Sequence, residues 1–157
     1  MTWLIYPIGM LLVVVVGLAV WRLLDHRADR VAWKRLTAGQ TGETKIFDGS
    51  MTAGLPEPAQ RYFHFTIAQG TPLETAVEID MTGEIGLGTK DAPGYRDMAA
   101  RQILAPPYGF VWKAKTGPIS GSDSALPGKS WTRFWLFGLI PIVRVNGLDH
   151  LRSAFGR

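Results

Sequence analysis

Between Met1 and Trp21 no side chain carries a charge; the first that does is Arg22. Trp3 to Trp21 is 19 residues. A helix rising about 1.5 Å per residue turns that into roughly 28 Å, close to the hydrocarbon thickness of a bilayer. Trp3 and Tyr6 mark one end of the run and Trp21 the other, as aromatic rings do at membrane–water interfaces. Pro7 falls in the first turns, where a missing N–H does least harm. Val13 to Val16 are mediocre helix formers in water, but in lipid every backbone group must bond internally, which forces the helix. A buried core helix would carry a polar stripe, and none precedes Arg22. A cleaved signal needs a basic start and small residues at a cut site; Met1-Thr2 and Leu23-Leu24-Asp25 supply neither. The expectation is a retained transmembrane anchor over residues 1–24.

Arg22, Arg27, Arg30, Lys34 and Arg35 all follow this run and no cation precedes it, so the positive-inside bias puts the rest of the chain in the cytoplasm. Residues 25–54 read as a membrane-exit helix and linker. In that helix Leu24, Val31 and Leu36 make only a broken apolar face. Asp25 stacks on Asp29, and Arg30 on Lys34, so this surface is expected to stay in solvent or among headgroups.

Residues 55–157 read as one modest domain. Six Trp, seven Phe and four Tyr supply a core, while 18 Gly and ten Pro demand many turns. "LPEPAQRYFHFTIAQG" predicts a short helix: Pro56, Glu57 and Pro58 suit its start, and Gly70 its end. "ETAVEIDMTGEIGLG" alternates Val77, Ile79, Met81, Ile85 and Leu87 with Glu78, Asp80, Thr82, Glu84 and Gly86. That predicts a strand with one buried and one wet face, bent or bulged at Gly83. "RDMAARQILA" and "GFVWKAK" predict two more strands, and "GPISGSDSALPGKS" reads as turns. "WTRFWLFGLIPIVRV" gives one or two strands or a buried segment, and "GLDHLRSAFGR" opens a helix. The fold class expected is α+β: an N-terminal transmembrane helix, then a small curved antiparallel sheet with short helices, an incomplete half-barrel.

Little of this carries chemistry. Without Cys there is no disulfide, thiolate zinc site or Cys nucleophile. "LPGKS" has the tail of a phosphate loop but Asp123 where the first Gly belongs, and "GEIGLG" is not a dinucleotide fingerprint. "GSDS" lacks a nucleophile elbow. His26, His64 and His150 are scattered, so no metal and no cofactor is expected. Glu78, Asp80 and Glu84 share a strand face, as a general acid/base pair would need and as any solvated sheet face also shows. Aromatics beside cations suggest single-stranded nucleic acid, but Trp112 shares its face with Phe110 and Ala114 and reads as core, so no nucleic acid is expected. An aromatic pocket lined by Tyr62, Phe63, Phe110 and Trp112 and taking an apolar ligand is the more economical reading.

"LPEPAQRYF", "PPYGFVWKAK", "ISGSD" and "GLDHLRSAFGR" together resemble a bacterial family known only as a domain of unknown function, with LP-x-P-x-x-RY(F/L) and PPGF-x-W-x-A segments. The resemblance covers Leu55 onward; Tyr108, inserted before Gly109, departs from it. It implies an α+β domain with a curved sheet similar to lipid-carrying half-barrels, in a bacterial inner membrane, and no catalytic residue. It also implies further strands after residue 157, so the chain is expected to be a truncated member. The function expected is a non-enzymatic, single-pass membrane protein in contact with membrane lipids, binding an apolar, lipid-like molecule or a protein partner at the membrane surface. The rival is a membrane-tethered enzyme using Asp80, Glu84, Asp123 or His64.

Overall fold

A computed structural model of the chain describes residues 5–39 and 44–147. Trp3 and the helix expected over 148–157, with Asp149 and His150, lie outside the described residues.

Helix α1 runs unbroken from Ile5 to Ala38, 34 residues, or about 51 Å. That is longer than a bilayer core of about 30 Å, so the helix has two working halves. Its N-terminal half bears bare apolar side chains, and none of its most apolar 18-residue window is buried. It is long and apolar enough to cross a membrane, and a soluble core helix would have buried that window. The C-terminal half packs against β-structure. Arg22, Asp25, Asp29, Ala32 and Leu36 recur at alternating steps of three and four and form one face. The expectation that this surface stays wet holds for Arg30 and Lys34, which are exposed, and is overturned for Asp25, Asp29 and Leu36, which are buried together with Ala32.

The sheet is a six-stranded antiparallel meander in chain order: β3 (Val77–Gly86), β4 (Tyr95–Ala105), β5 (Gly109–Thr116), β6 (Ile119–Leu126), β7 (Lys129–Leu136) and β8 (Ile140–Asn146). Short connections favour this order: β5–β6 and β6–β7 are joined by two residues each, and a two-residue link can only join antiparallel neighbours. Pro127-Gly128, with Gly128 at φ 73°, is such a link. The sheet is open, and β3 and β8 are its edges. Pro141 sits in β8, where an edge strand tolerates a missing donor. The single ladder shift, between Phe134 and Trp135, skips Ile142. No bulge forms at Gly83, which pairs in register with Met98.

Strand β6 overturns the reading of "GPISGSDSALPGKS" as turns. It is central and carries no apolar alternation, because its side chains do other work. Ser122 and Ser124 are buried and bonded, and Gly121 gives Phe134 room to lie over it.

Register fixes which side chains share a face, since directly opposed residues of antiparallel strands point the same way. Ser122 pairs with Lys113 and Arg133, Lys113 with Arg101, and Arg101 with Asp80. This is the side that meets α1. The polar face of β3 therefore turns toward the helix, and the apolar face expected to be buried looks away. Val77 is 48% exposed and Ile79 is also exposed. The apolar cluster under α1 comes from other strands: Ile103, Ala105, Val111 and Trp131 against Ala32 and Leu36.

Before the sheet lie β1 (Lys45–Ile46) paired with β2 (Pro72–Leu73), a 3-10 turn over Gly49–Thr52, and α2 (Glu57–Thr66). The expected helix forms, with Pro56 as its N-cap, but it buries none of its residues, and Tyr62 and Phe65 are exposed.

Close strand packing at Gly121 makes a clear prediction. A Cβ there would run into the Arg133 carbonyl oxygen and lie 2.6 Å from a Phe134 ring carbon, whereas one at Gly83 meets nothing within 4 Å. Gly121→Ala should cost about 1–3 kcal/mol in urea unfolding of the detergent-solubilised protein. Gly83→Ala should be neutral or stabilise by up to about 1 kcal/mol.

Candidate functional site

Just past the apolar stretch, α1 carries a carboxylate that organises the sheet beneath it. Asp25 accepts hydrogen bonds from both Nη atoms of Arg144 (2.7 and 3.1 Å), from Arg133 Nη1 (3.1 Å) and from Trp135 Nε1 (3.0 Å). The fork of Arg144 matches the carboxylate in the bidentate geometry that makes such pairs strong. Arg144 also lies over Trp21, 4.2 Å from the ring centroid, and Trp21 meets Trp135 edge-on at 5.7 Å. Rings and guanidinium groups thus pack together where the apolar stretch of α1 ends. Burial works against the Asp25 carboxylate, but Arg144 and Arg133 more than offset it and hold its pKa below the usual carboxylate range.

One turn further on, Asp29 accepts from Ser122 Oγ at 2.8 Å, and Ser122 accepts from Trp131 Nε1 at 3.1 Å. Trp33 then donates to Glu78 at 2.8 Å. The helix therefore crosses the sheet, from β7 and β8 at Trp21 to β3 at Trp33.

Beside this seam, between α1 and β3–β6, lies an open cavity of about 940 Å³. From α1 it is lined by Arg22, His26, Asp29 and Trp33, and from the sheet by Asp80, Arg101, Lys113, Lys115 and Ser120. Gly138, in the turn between β7 and β8, also borders it. Arg101 is committed to Asp80 (2.7 Å) and Glu78 (3.3 Å). Arg22 donates to Ser120 Oγ at 3.0 Å. Lys113 and Lys115 form no salt bridge among the described residues. Burial first, then Arg22, Lys113 and Arg30, push the His26 pKa down against the pull of Asp29, so the imidazole is neutral near pH 7. The net result is a wall rich in donors and cations, with neutral imidazole and indole beside it. Such a wall can hold an anionic group next to an apolar one.

The residues singled out from sequence lie elsewhere. Phe110 and Trp112 are half-buried on the face of β5 away from α1, where Trp112 meets Phe134. Tyr62 and Phe63 touch each other on α2. None of the four lines the cavity. Of the carboxylates and His considered for catalysis, Asp80 alone lines it among the described residues. Asp123 bonds Thr132 on the opposite face, and His64 bonds Thr52 at 3.0 Å. No two of these converge, and no cluster of metal-ligating side chains occurs among the described residues. The residues missed were Arg22, His26, Lys113 and Lys115. Their one signal was the alternation of Lys113 and Lys115 on β5, which puts two cations on one face.

Removing the Asp25 charge should loosen this seam. Asp25→Asn leaves two largely buried guanidinium groups without their counter-charge and should cost about 3 kcal/mol in urea unfolding. Because the folded pKa of Asp25 is lowered, its contribution is complete above the ordinary carboxylate range. It disappears as pH falls through the folded value. The stability gap between wild type and Asp25→Asn should therefore hold from neutrality to about pH 5 and close in stronger acid.

No curated protein and no solved structure matches the chain. Over residues 45–157, from β1 onward, it matches the model of a family of unknown function, DUF6544, and the chain belongs to that family.

Proposed function

We propose that this is a single-pass protein of a bacterial inner membrane, its sheet on the cytoplasmic side, and that the cavity beside α1 takes the headgroup of an anionic, lipid-like molecule. One observation carries the reading: a cavity of about 940 Å³ opens directly below the apolar stretch and presents Arg22, Lys113 and Lys115. Its volume is in the range of small-molecule sites. Its cations suit a phosphate or carboxylate, and Trp33 gives an apolar wall. The cluster of basic residues following the span supports the cytoplasmic side. The role is binding rather than turnover, because the candidate catalytic groups do not converge.

A second reading, a protein partner, is favoured by the face of the sheet that turns away from α1. There Val77, Ile79 and Leu104 are exposed side by side on β3 and β4, and exposed apolar surface of this kind is typical of docking sites.

Lipid extraction and mass spectrometry of the full chain purified in mild detergent test the first reading. An anionic amphiphile should accompany the wild type in near-stoichiometric amount and fall at least about tenfold in a Lys113→Glu, Lys115→Glu double variant. Equal recovery from both proteins, or none from either, contradicts it.

A further inference from the structure

The turn between β7 and β8 carries a side chain that water does not favour. Leu139 N–H donates to the Leu136 carbonyl at 3.1 Å, closing a four-residue turn around Phe137 and Gly138. Both central residues have positive φ, 52° and 70°. Turns with positive φ at both central positions ordinarily place Asn, Asp or Gly first, because a bulky L side chain is strained there. Phe137 accepts that strain and gains no burial in return, being 75% exposed. Its neighbours are of the same kind. From Trp135 to Val143 no side chain is charged, and Ile140 (49% exposed) and Ile142 are bare.

The position of this tip is set by contacts already described. Trp131 reaches the Asp29 level of α1, Arg133 reaches Asp25, and Trp135 touches both Asp25 and Trp21. Strand β7 therefore climbs α1 toward the anchor. One more strand residue, Leu136, and then the turn carry the chain at most about 7 Å further, a little more than one helical turn of about 5.4 Å. Phe137 then stands beside the uncharged stretch that precedes Arg22. Its N–H donates to the Pro118 carbonyl at 2.8 Å, which ties the tip to the turn between β5 and β6.

We infer that the β7–β8 tip dips into the interfacial layer of the same bilayer that α1 crosses, with Phe137, Ile140 and Ile142 as its lipid contacts. The occupant of this surface is lipid because the tip continues the apolar surface of α1 at the same level. A strained, exposed aromatic is repaid there and not in water. The inference rests on α1 spanning the membrane but not on any ligand in the cavity. Two contacts, helix and hairpin, hold the sheet at a fixed height. Gly138 belongs to both the tip and the cavity wall, so the cavity stays at headgroup level.

The chain contains no cysteine, so single labels are unambiguous. Phe137→Cys, Ile140→Cys, Leu12→Cys and Tyr108→Cys are each labelled with an environment-sensitive fluorophore, and the full chain is placed in phosphatidylcholine nanodiscs containing lipids spin-labelled near the headgroup. Tyr108 is exposed in the turn between β4 and β5, at the far end of the sheet. The labels at 137 and 140 should emit to the blue of the label at 108 and be quenched at least about twofold more strongly. If both behave as the 108 label does while the label at 12 emits to the blue, the tip stays in water and the inference is wrong. If the label at 12 also emits as it would in water, the anchor is absent and the inference falls with it.

Discussion

One buried carboxylate joins the two halves of this molecule. Asp25 receives four hydrogen bonds from Arg133, Arg144 and Trp135, and those donors come from the two last strands of the sheet. An isolated charge at 4% exposure could not persist. It persists here because the guanidinium fork and the indole N–H satisfy nearly every lone pair. Without the seam, α1 would be an apolar rod tethered to a sheet by a loop. With it, the anchor and the sheet share an interface, and anything that happens at the cavity is held at a set distance from the end of the apolar stretch.

The seam also explains why the sheet has its polar face inward. Helix α1 changes character abruptly at Arg22, and the surface that receives it must change with it. Near the apolar stretch the contacts are rings and guanidinium groups: Trp21, Trp135, Arg144. One turn on they are Asp29, Ser122 and Trp131, and only at Ala32 and Leu36 does an ordinary apolar core appear. On β6, the small hydroxyl of Ser122 satisfies the Asp29 carboxylate, and that of Ser120 accepts from Arg22. The cavity is the part of this interior where the helix and β3–β6 diverge, and its lining mixes charged side chains with Met81, Ala99, Ala100 and Ala114.

The long apolar helix was legible in the sequence because an uncharged run of this length leaves few alternatives to a helix. Strands β3, β4 and β5 and helix α2 were legible from alternation and from prolines at the right places. Strand β6 was not, since Ser-Gly-Ser-Asp-Ser has the composition of a turn and its strand character comes from partners on both sides. The orientation of β3 was misread for a related reason. Alternation shows that a strand has two faces but not which of them meets a helix elsewhere in the chain. Asp25 and Asp29 looked like mutually repelling surface charges, because the Asp25 partners lie 108 and 119 residues away. The cavity was illegible for the same cause, being assembled from residues that only folding brings together. The aromatic pair Phe110 and Trp112 was correctly placed on one strand face, but that face is not the cavity's.

Asp25 couples α1 to the sheet, so that the two move as one body. Spin labels at Arg30→Cys on α1 and Tyr95→Cys at the start of β4, read by pulsed electron–electron distance measurement in nanodiscs, test it directly. A single narrow distance is expected, which broadens when Asp25→Asn is added. A broad distribution in the protein with Asp25 intact would contradict the account.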